Sequence, residues 1–207
     1  MEFGNEYIKK FENHAQYETF TASTEFVLPN VSYCKQEDEV HFNPGSEPPQ
    51  PAMPITYTAS RKFYVDLNAF TPAAISEDYD STTHTGVIEF NAPVTGIGDS
   101  AFMMNQNLMS IELPNSVTTI GQNAFGTCTS LESIDIPSGV TSIGNSAFAQ
   151  CINLTSITVN ATEPPTLGNQ PFYNTNNCTI YVPSASVNTY KTASGWSTYA
   201  SRIQAMP

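Results

Sequence analysis

The string DYDSTTHTGVIE, residues 78–89, sets Asp78, Asp80, Thr82 and Glu89 at the intervals of a calcium-binding loop, where carboxylate and hydroxyl oxygens gather round a hard cation. Such a loop turns on a glycine, but Thr83 holds that position, and Glu89 falls inside a run that alternates like a strand. A metal site is not expected there. The three histidines, His14, His41 and His84, lie in different segments, with no HExxH, no CxxC and no glycine loop followed by lysine. No serine sits in a GxSxG elbow. The sequence therefore predicts no catalytic residue, no metal and no cofactor, and the protein is read as not an enzyme.

Charge narrows the partners. Seven basic against 19 acidic residues give a formal net charge of −12, which disfavours nucleic acid or an anionic membrane as a partner. No apolar run approaches the ~20 residues of a membrane helix, so membrane insertion is not expected. The opening MEFGNEYIKKFENHAQ has Lys9 and Lys10 but no apolar segment behind them, so it does not read as a secretion signal. Four cysteines are too few for a disulfide scaffold.

The chain repeats itself instead. TTIGQNAFGTC, ending at Cys128, recurs as TSIGNSAFAQC, ending at Cys151, and one fixed interval carries Ile111 to Ile134, Gly121 to Gly144 and Phe125 to Phe148. Four units follow from this period: 88–110, 111–133, 134–156 and 157–179, the last with Gly168 and Phe172 one residue late. Each begins with a short alternating strand, as in LESIDIP, and continues through mixed apolar spacings with a glycine available for a turn. One unit cannot bury its apolar residues alone, whereas stacked units form continuous columns with parallel strands. The columns are Ile88, Ile111, Ile134, Ile157 and Ile180, then Phe90, Leu113, Ile136, Val159 and Val182, with Phe102, Phe125, Phe148 and Phe172 as an aromatic spine. Gly98, Gly121, Gly144 and Gly168 serve a special backbone conformation or a close approach. Cys128 and Cys151 should stack as buried thiols, because parallel Cβ vectors do not converge on a bridge.

The ends need lids. Residues 180–207 form a C-terminal cap: a fifth strand from Ile180 to Val182, then helical spacing around Val187, Tyr190, Trp196, Tyr199 and Ile203, with the single tryptophan plugging the last unit. Residues 55–87 form an N-terminal cap, in which Val65 and Leu67 lie one full period before Ile88 and Phe90. The whole repeat domain spans 55–207. PGSEPPQPAMP, residues 44–54, has five prolines and reads as an extended linker. Before it, residues 1–43 make a small α+β module: an amphipathic helix using Tyr7, Ile8, Phe11, His14 and Tyr17, then NVSYC and EVHFN as a β-hairpin. That module is small for independent stability, so docking or oligomerisation through it is open.

Between the inward columns lies the candidate partner-binding face. Ser110, Ser133, Ser156 and Thr179 form one row, and Glu89, Glu112, Asp135, Thr158 and Tyr181 form the next. Three carboxylates stacked about 4.8 Å apart repel one another. They suit a basic protein segment or a cation, or they keep an exposed sheet from aggregating.

The units LPNSVTTIGQNAFGTCTSLESI and IPSGVTSIGNSAFAQCINLTSI resemble the BspA-like leucine-rich repeat, and IYVPSASVNTYKTASGW resembles an ending common in that family. The resemblance covers residues from about 55 to 207. It implies an α/β repeat, a right-handed leucine-rich-repeat solenoid with a parallel sheet on one face. It further implies non-catalytic protein or glycan recognition of the adhesion type, at a bacterial cell surface or secreted. Asn105 departs from the family pattern by replacing the cysteine of the first unit. LPNVSYCKQEDEVHFNP resembles leader modules of phage or prophage structural proteins of gut bacteria, which implies a virion-associated assembly subunit as the other reading.

Overall fold

The computed structural model describes residues 31–34, 39–42 and 53–207. The helix expected around Tyr7 to Tyr17 and most of the proline-rich linker lie outside the described residues. The chain divides into two compact units, 1–51 and 52–207. In the first, β1 (Val31–Cys34) pairs antiparallel with β2 (Glu39–Phe42), Val31 opposite Phe42.

The second unit is a stack of repeats built on two strand ladders. On one side β10 (Ser133–Ile136), β12 (Ser156–Val159) and β14 (Thr179–Val182) run parallel, with Ile134 opposite Ile157 and Ile157 opposite Ile180. On the other side, the two-residue strands β7 (Gly96–Ile97), β9 (Thr119–Ile120), β11 (Ser142–Ile143) and β13 (Thr166–Leu167) form a second parallel ladder, ended by β4 (Phe70–Thr71) antiparallel to β7. The return half of each unit is thus strand and turn. The α/β expectation is corrected here, since the one α-helix among the described residues is α1 (Val187–Thr192), at the C-terminal end.

Between the ladders the aromatic column packs in single file. Phe102 and Phe125 stack with centroids 5.2 Å apart, Phe125 and Phe148 also at 5.2 Å, and Phe148 and Phe172 at 5.9 Å. All four rings are buried, each contributing about 2–3 kcal/mol of transfer free energy. The glycine column works by close approach. A Cβ on Gly144 would meet the backbone carbon of Gly121 at 2.5 Å, and one on Gly121 would meet the backbone nitrogen of Asp99 at 2.6 Å. The amides of Gly121 and Gly144 donate to Ile97 O and Ile120 O of the preceding unit.

The left-handed backbone falls on other residues. Ser100, Asn123, Ser146 and Gln170 make one column of positive φ, and Met104, Thr127, Gln150 and Asn174 make a second. Nothing in residue type alone marks these sites, since only some are Asn. The thiols stack as expected: Cys128, Cys151 and Cys178 are free and buried, and Cys128 Sγ donates to Phe102 O at 3.0 Å while Cys151 Sγ donates to Phe125 O at 3.1 Å.

Both ends differ from expectation. Val65 lies outside any strand and Leu67 begins a 3₁₀ turn, Leu67–Ala69, so this pair is not the first rung. Instead β3 (Ile55–Ala59) inserts between β6 (Thr85–Glu89) and β8 (Leu108–Glu112), antiparallel to both, and β5 (Ser76–Asp80) pairs antiparallel on the far side of β6. Ile88 therefore faces Ile55, not Ile111, and Ile111 faces Tyr57. At the other end Ile203 belongs to β15 (Ile203–Ala205), which pairs parallel with β14, Ile180 opposite Ile203. The repeat step thus continues past Ile180 through a segment whose spacing predicts helix. Trp196 does plug the stack: it is fully buried, its ring lies 5.8 Å from that of Phe172, and its Nε1 donates to Pro165 O at 2.7 Å. Tyr190 packs on it edge-on and donates to Ala161 O.

Candidate interaction face

Strand alternation sends every second side chain outward, and burial follows it: in β10 Ile134 and Ile136 are buried while Ser133 and Asp135 are exposed. Pairing then places Ser133 beside Ser156 and Ser156 beside Thr179, with Asp135 beside Thr158 and Thr158 beside Tyr181. Ser156, Thr158, Thr179 and Tyr181 are half-buried. Five of the eight expected face residues (Ser133, Asp135, Ser156, Thr158 and Tyr181) therefore sit in one continuous ladder, extended by Gln204 of β15 next to Tyr181.

The other three stand on a separate sheet of order β5-β6-β3-β8. There Ser110 faces Thr58 and Glu112 faces Thr56, with Thr58 Oγ1 and Ser110 Oγ 2.7 Å apart and Thr56 Oγ1 donating to Glu112 Oε2 at 3.1 Å. Glu89 faces Ser76, whose Oγ donates to Glu89 Oε2 at 3.1 Å. The expected pile of three carboxylates is corrected by this register. β3 separates Glu89 from Glu112, and β8 lies beside β10 without regular pairing. Interposed hydroxyls relieve the repulsion that stacked carboxylates would carry.

Sequence reasoning missed the residues that β3, β5 and β6 add. Thr56 and Thr58 project outward from β3, Thr85 and Val87 from β6, and Asp78 and Asp80 from β5. The alternation of ITYTA was a usable signal for a strand, but nothing local said where it would pair.

The calcium-like string is a hairpin. Asp78 and Asp80 lie in β5 and Glu89 in β6, and Asp80 accepts from the Thr82 amide at 2.7 Å and from Thr83 Oγ1 at 3.0 Å, which holds its carboxyl below the usual carboxylate range. On the inward side of this sheet Tyr57 is buried and its hydroxyl donates to Glu77, which also pairs with Lys62 at 3.4 Å. Burial first, then the Glu77 contact, pushes the Tyr57 phenol well above its ordinary value. The Tyr57–Glu77 contact ties the inserted strand β3 to β5.

Against known families, the BspA type leucine rich repeat region matches residues 76–194 in six copies, more than half of the chain. The chain belongs to the BspA-type leucine-rich repeat family. Six copies exceed the four units marked by the IGxxAF pattern, and they reach into both segments read as caps. Repeats of the BspA type make a repeat-based protein-interaction module, the family is typically non-catalytic, and its members are often surface proteins. No curated protein matches the sequence. Among the described residues no helix is long and apolar enough to cross a membrane.

Proposed function

We propose that this BspA-type chain is a non-catalytic recognition module. Its repeats wind as a right-handed solenoid and bind a protein or glycan at a cell surface through the outward sheet face. The observation that carries this reading is the division of labour in each rung: every inward position of β10, β12 and β14 is spent on the core, while the outward rows are polar and exposed or half-buried. Ser110, Glu112, Ser133, Asp135, Ser156, Thr158 and Tyr181 form the contact surface, with Glu89 at its far edge. The carboxylates favour a basic protein segment.

Capture of host extracellular proteins by the wild type and by a Glu112→Lys/Asp135→Lys double variant tests it. Captured protein lost from the variant supports the face. Unchanged capture removes the acidic residues from it.

A second reading, an assembly subunit of the phage-encoded kind, is favoured by the separate compact unit at residues 1–51. In that case the N-terminal module oligomerises or attaches the chain, and the repeats space it. Light scattering on the full chain and on residues 52–207 separates the two: an oligomer that dissolves on truncation supports assembly, and a monomer in both forms dismisses it.

A further inference from the structure

Arg202 is held unlike any other cation in the described residues. Its Nε donates to Cys178 O at 2.8 Å, and Nη2 donates to Thr175 Oγ1 at 2.9 Å and to Cys178 Sγ at 2.7 Å, Thr175 and Cys178 both being buried. Both hydrogens of Nη2 are thereby used, while Nη1 makes no hydrogen bond among the described residues, and no carboxylate there pairs with the guanidinium. In a chain of net charge −12, a cation fixed from behind and without a counter-charge among the described residues suits an anionic visitor. A solvated arginine would lose much side-chain entropy on binding, and this one has lost it already.

Arg202 lines a polar cleft at the C-terminal end of the stack, outside the acidic region of the face. The Tyr199 ring lies beside it, 5.3 Å from centroid to guanidinium carbon. Thr179 and Gln204 enter the cleft from β14 and β15, and Asn177, Thr198 and Ser201 form the rest of its wall. Amides and hydroxyls that both donate and accept, next to an aromatic ring, match the hydroxyl-rich faces of a sugar. Nη1, which makes no hydrogen bond among the described residues, matches a carboxylate.

We infer that this cleft is a binding site for an acidic saccharide, whose carboxylate meets Arg202 Nη1 while its hydroxyls meet the Asn177, Thr179 and Gln204 side chains. The cleft shares Thr179 and Gln204 with the C-terminal edge of the outward face, but its carboxylate contact uses none of the face's acidic residues. Its carboxylate belongs either to a terminal uronic acid or to one inside a chain, because Thr198 and Ser201 form an exposed rim over which further sugar units can pass.

Titrating the isotope-labelled full chain with sodium glucuronate, glucose and acetate, each read by amide chemical shifts, tests it. Glucuronate should give saturable shifts confined to residues 177–179 and 198–204, with glucose and acetate weaker by roughly tenfold or more, a ratio equivalent to ~1.4 kcal/mol. Arg202→Gln should weaken glucuronate by a similar factor. Because Arg202→Gln also removes bonds to Cys178 and Thr175, Ser201→Trp provides a second variant: it fills the rim without touching those bonds, and should abolish the shifts at an unchanged melting temperature. A methyl glucuronide and a uronate oligomer, run alongside, separate the terminal from the internal source. Equal binding of glucose dismisses the carboxylate contact, equal binding of acetate dismisses the sugar, and no saturable shift with any of the three, or full affinity in Ser201→Trp, overturns the site.

Discussion

From β10 to β14 each strand meets its own copy from the next repeat, whereas between β6 and β8 a strand from earlier in the chain intervenes and reverses direction. Both regions cover the same aromatic column, since Phe63 and Phe70 reach Phe102 edge-on at 6.5 and 5.8 Å. What differs is how neighbours are specified. In the middle, identical side chains stack on themselves, so one sequence motif supplies both sides of every contact. At the antiparallel end unlike residues meet, and the contacts are individual: Thr56 with Glu112, Ser76 with Glu89, Tyr57 with Glu77. Antiparallel pairing also closes the end of a parallel stack without leaving an apolar rung in water.

The largest expected contrast between the regions is in the aromatic column. Phe125→Ala should cost about 3–5 kcal/mol in chemical denaturation, because rings above and below cannot both collapse into the gap. Phe63→Ala, at a partly buried site, should cost clearly less. Equal losses would mean that the stack is no more cooperative in its middle than at its end.

Glycine replacements come next. Gly144→Ala drives its new methyl into the backbone of Gly121, which cannot turn aside, so a loss of about 1–3 kcal/mol is expected in thermal or urea unfolding. At the other end, Gly86→Ala meets the ring of Tyr57, and a side chain can yield where a backbone cannot. A smaller loss there, accompanied by a changed tyrosine absorbance as the Glu77 contact shifts, would sharpen the comparison. A Gly86 variant less stable than the Gly144 variant would break it.

The thiols distinguish the regions by pH. Burial pushes the Cys128 thiol far up and that of Cys151 to about 12, whereas Asn105 occupies the corresponding place in the first unit. An unfolded thiol ionises near about 8.5. Above that pH the unfolded chain sheds protons which the folded chain keeps, so stability falls as pH rises towards 12. Below about pH 8.5 this contribution is fully present. Unfolding free energies from pH 7 to 10 should therefore decline less in a Cys128→Ala/Cys151→Ala variant than in the wild type, although that variant starts from a lower value. Identical slopes would show that the buried thiols do not carry the dependence.

The smallest effect is expected at the left-handed sites. Thr127 is β-branched with φ of 61°, and glycine there should stabilise by about 0.5 kcal/mol, the relief of backbone crowding outweighing the added freedom of the unfolded chain. His84 has the same φ in the antiparallel hairpin, but it also lies 3.2 Å from Tyr79 Oη through Nδ1. Its replacement by glycine should gain nothing. Melting temperatures measured on the two variants decide between them.

Much of this was legible in the residues. The fixed repeat step, the phenylalanine column, the stacked thiols and the plugging tryptophan follow from identical types recurring at one interval, because stacking is the only way such copies finish one another's interior. Even β15 was within reach, as Ile203 lies one full period after Ile180, but the helical spacing of Val187, Tyr190 and Trp196 competed with that signal. The outward rows of β10, β12 and β14 were equally readable, since alternation decides which side chain faces out once the inward one is known.

Tertiary structure alone decided where β3 goes. Its pairing with β6 and β8 joins residues far apart in the chain, Ile55 with Ile88 and Thr56 with Glu112, and no repeat links them. That insertion moved Glu89 out of line with Glu112 and brought Thr56 and Thr58 onto the face. Tertiary structure also chose close approach, not turn geometry, as the work of the glycines, because backbone spacing between rungs exists only after the rungs have stacked. Sequence determines what each unit must bury. The meeting of distant strands determines which surface is left over.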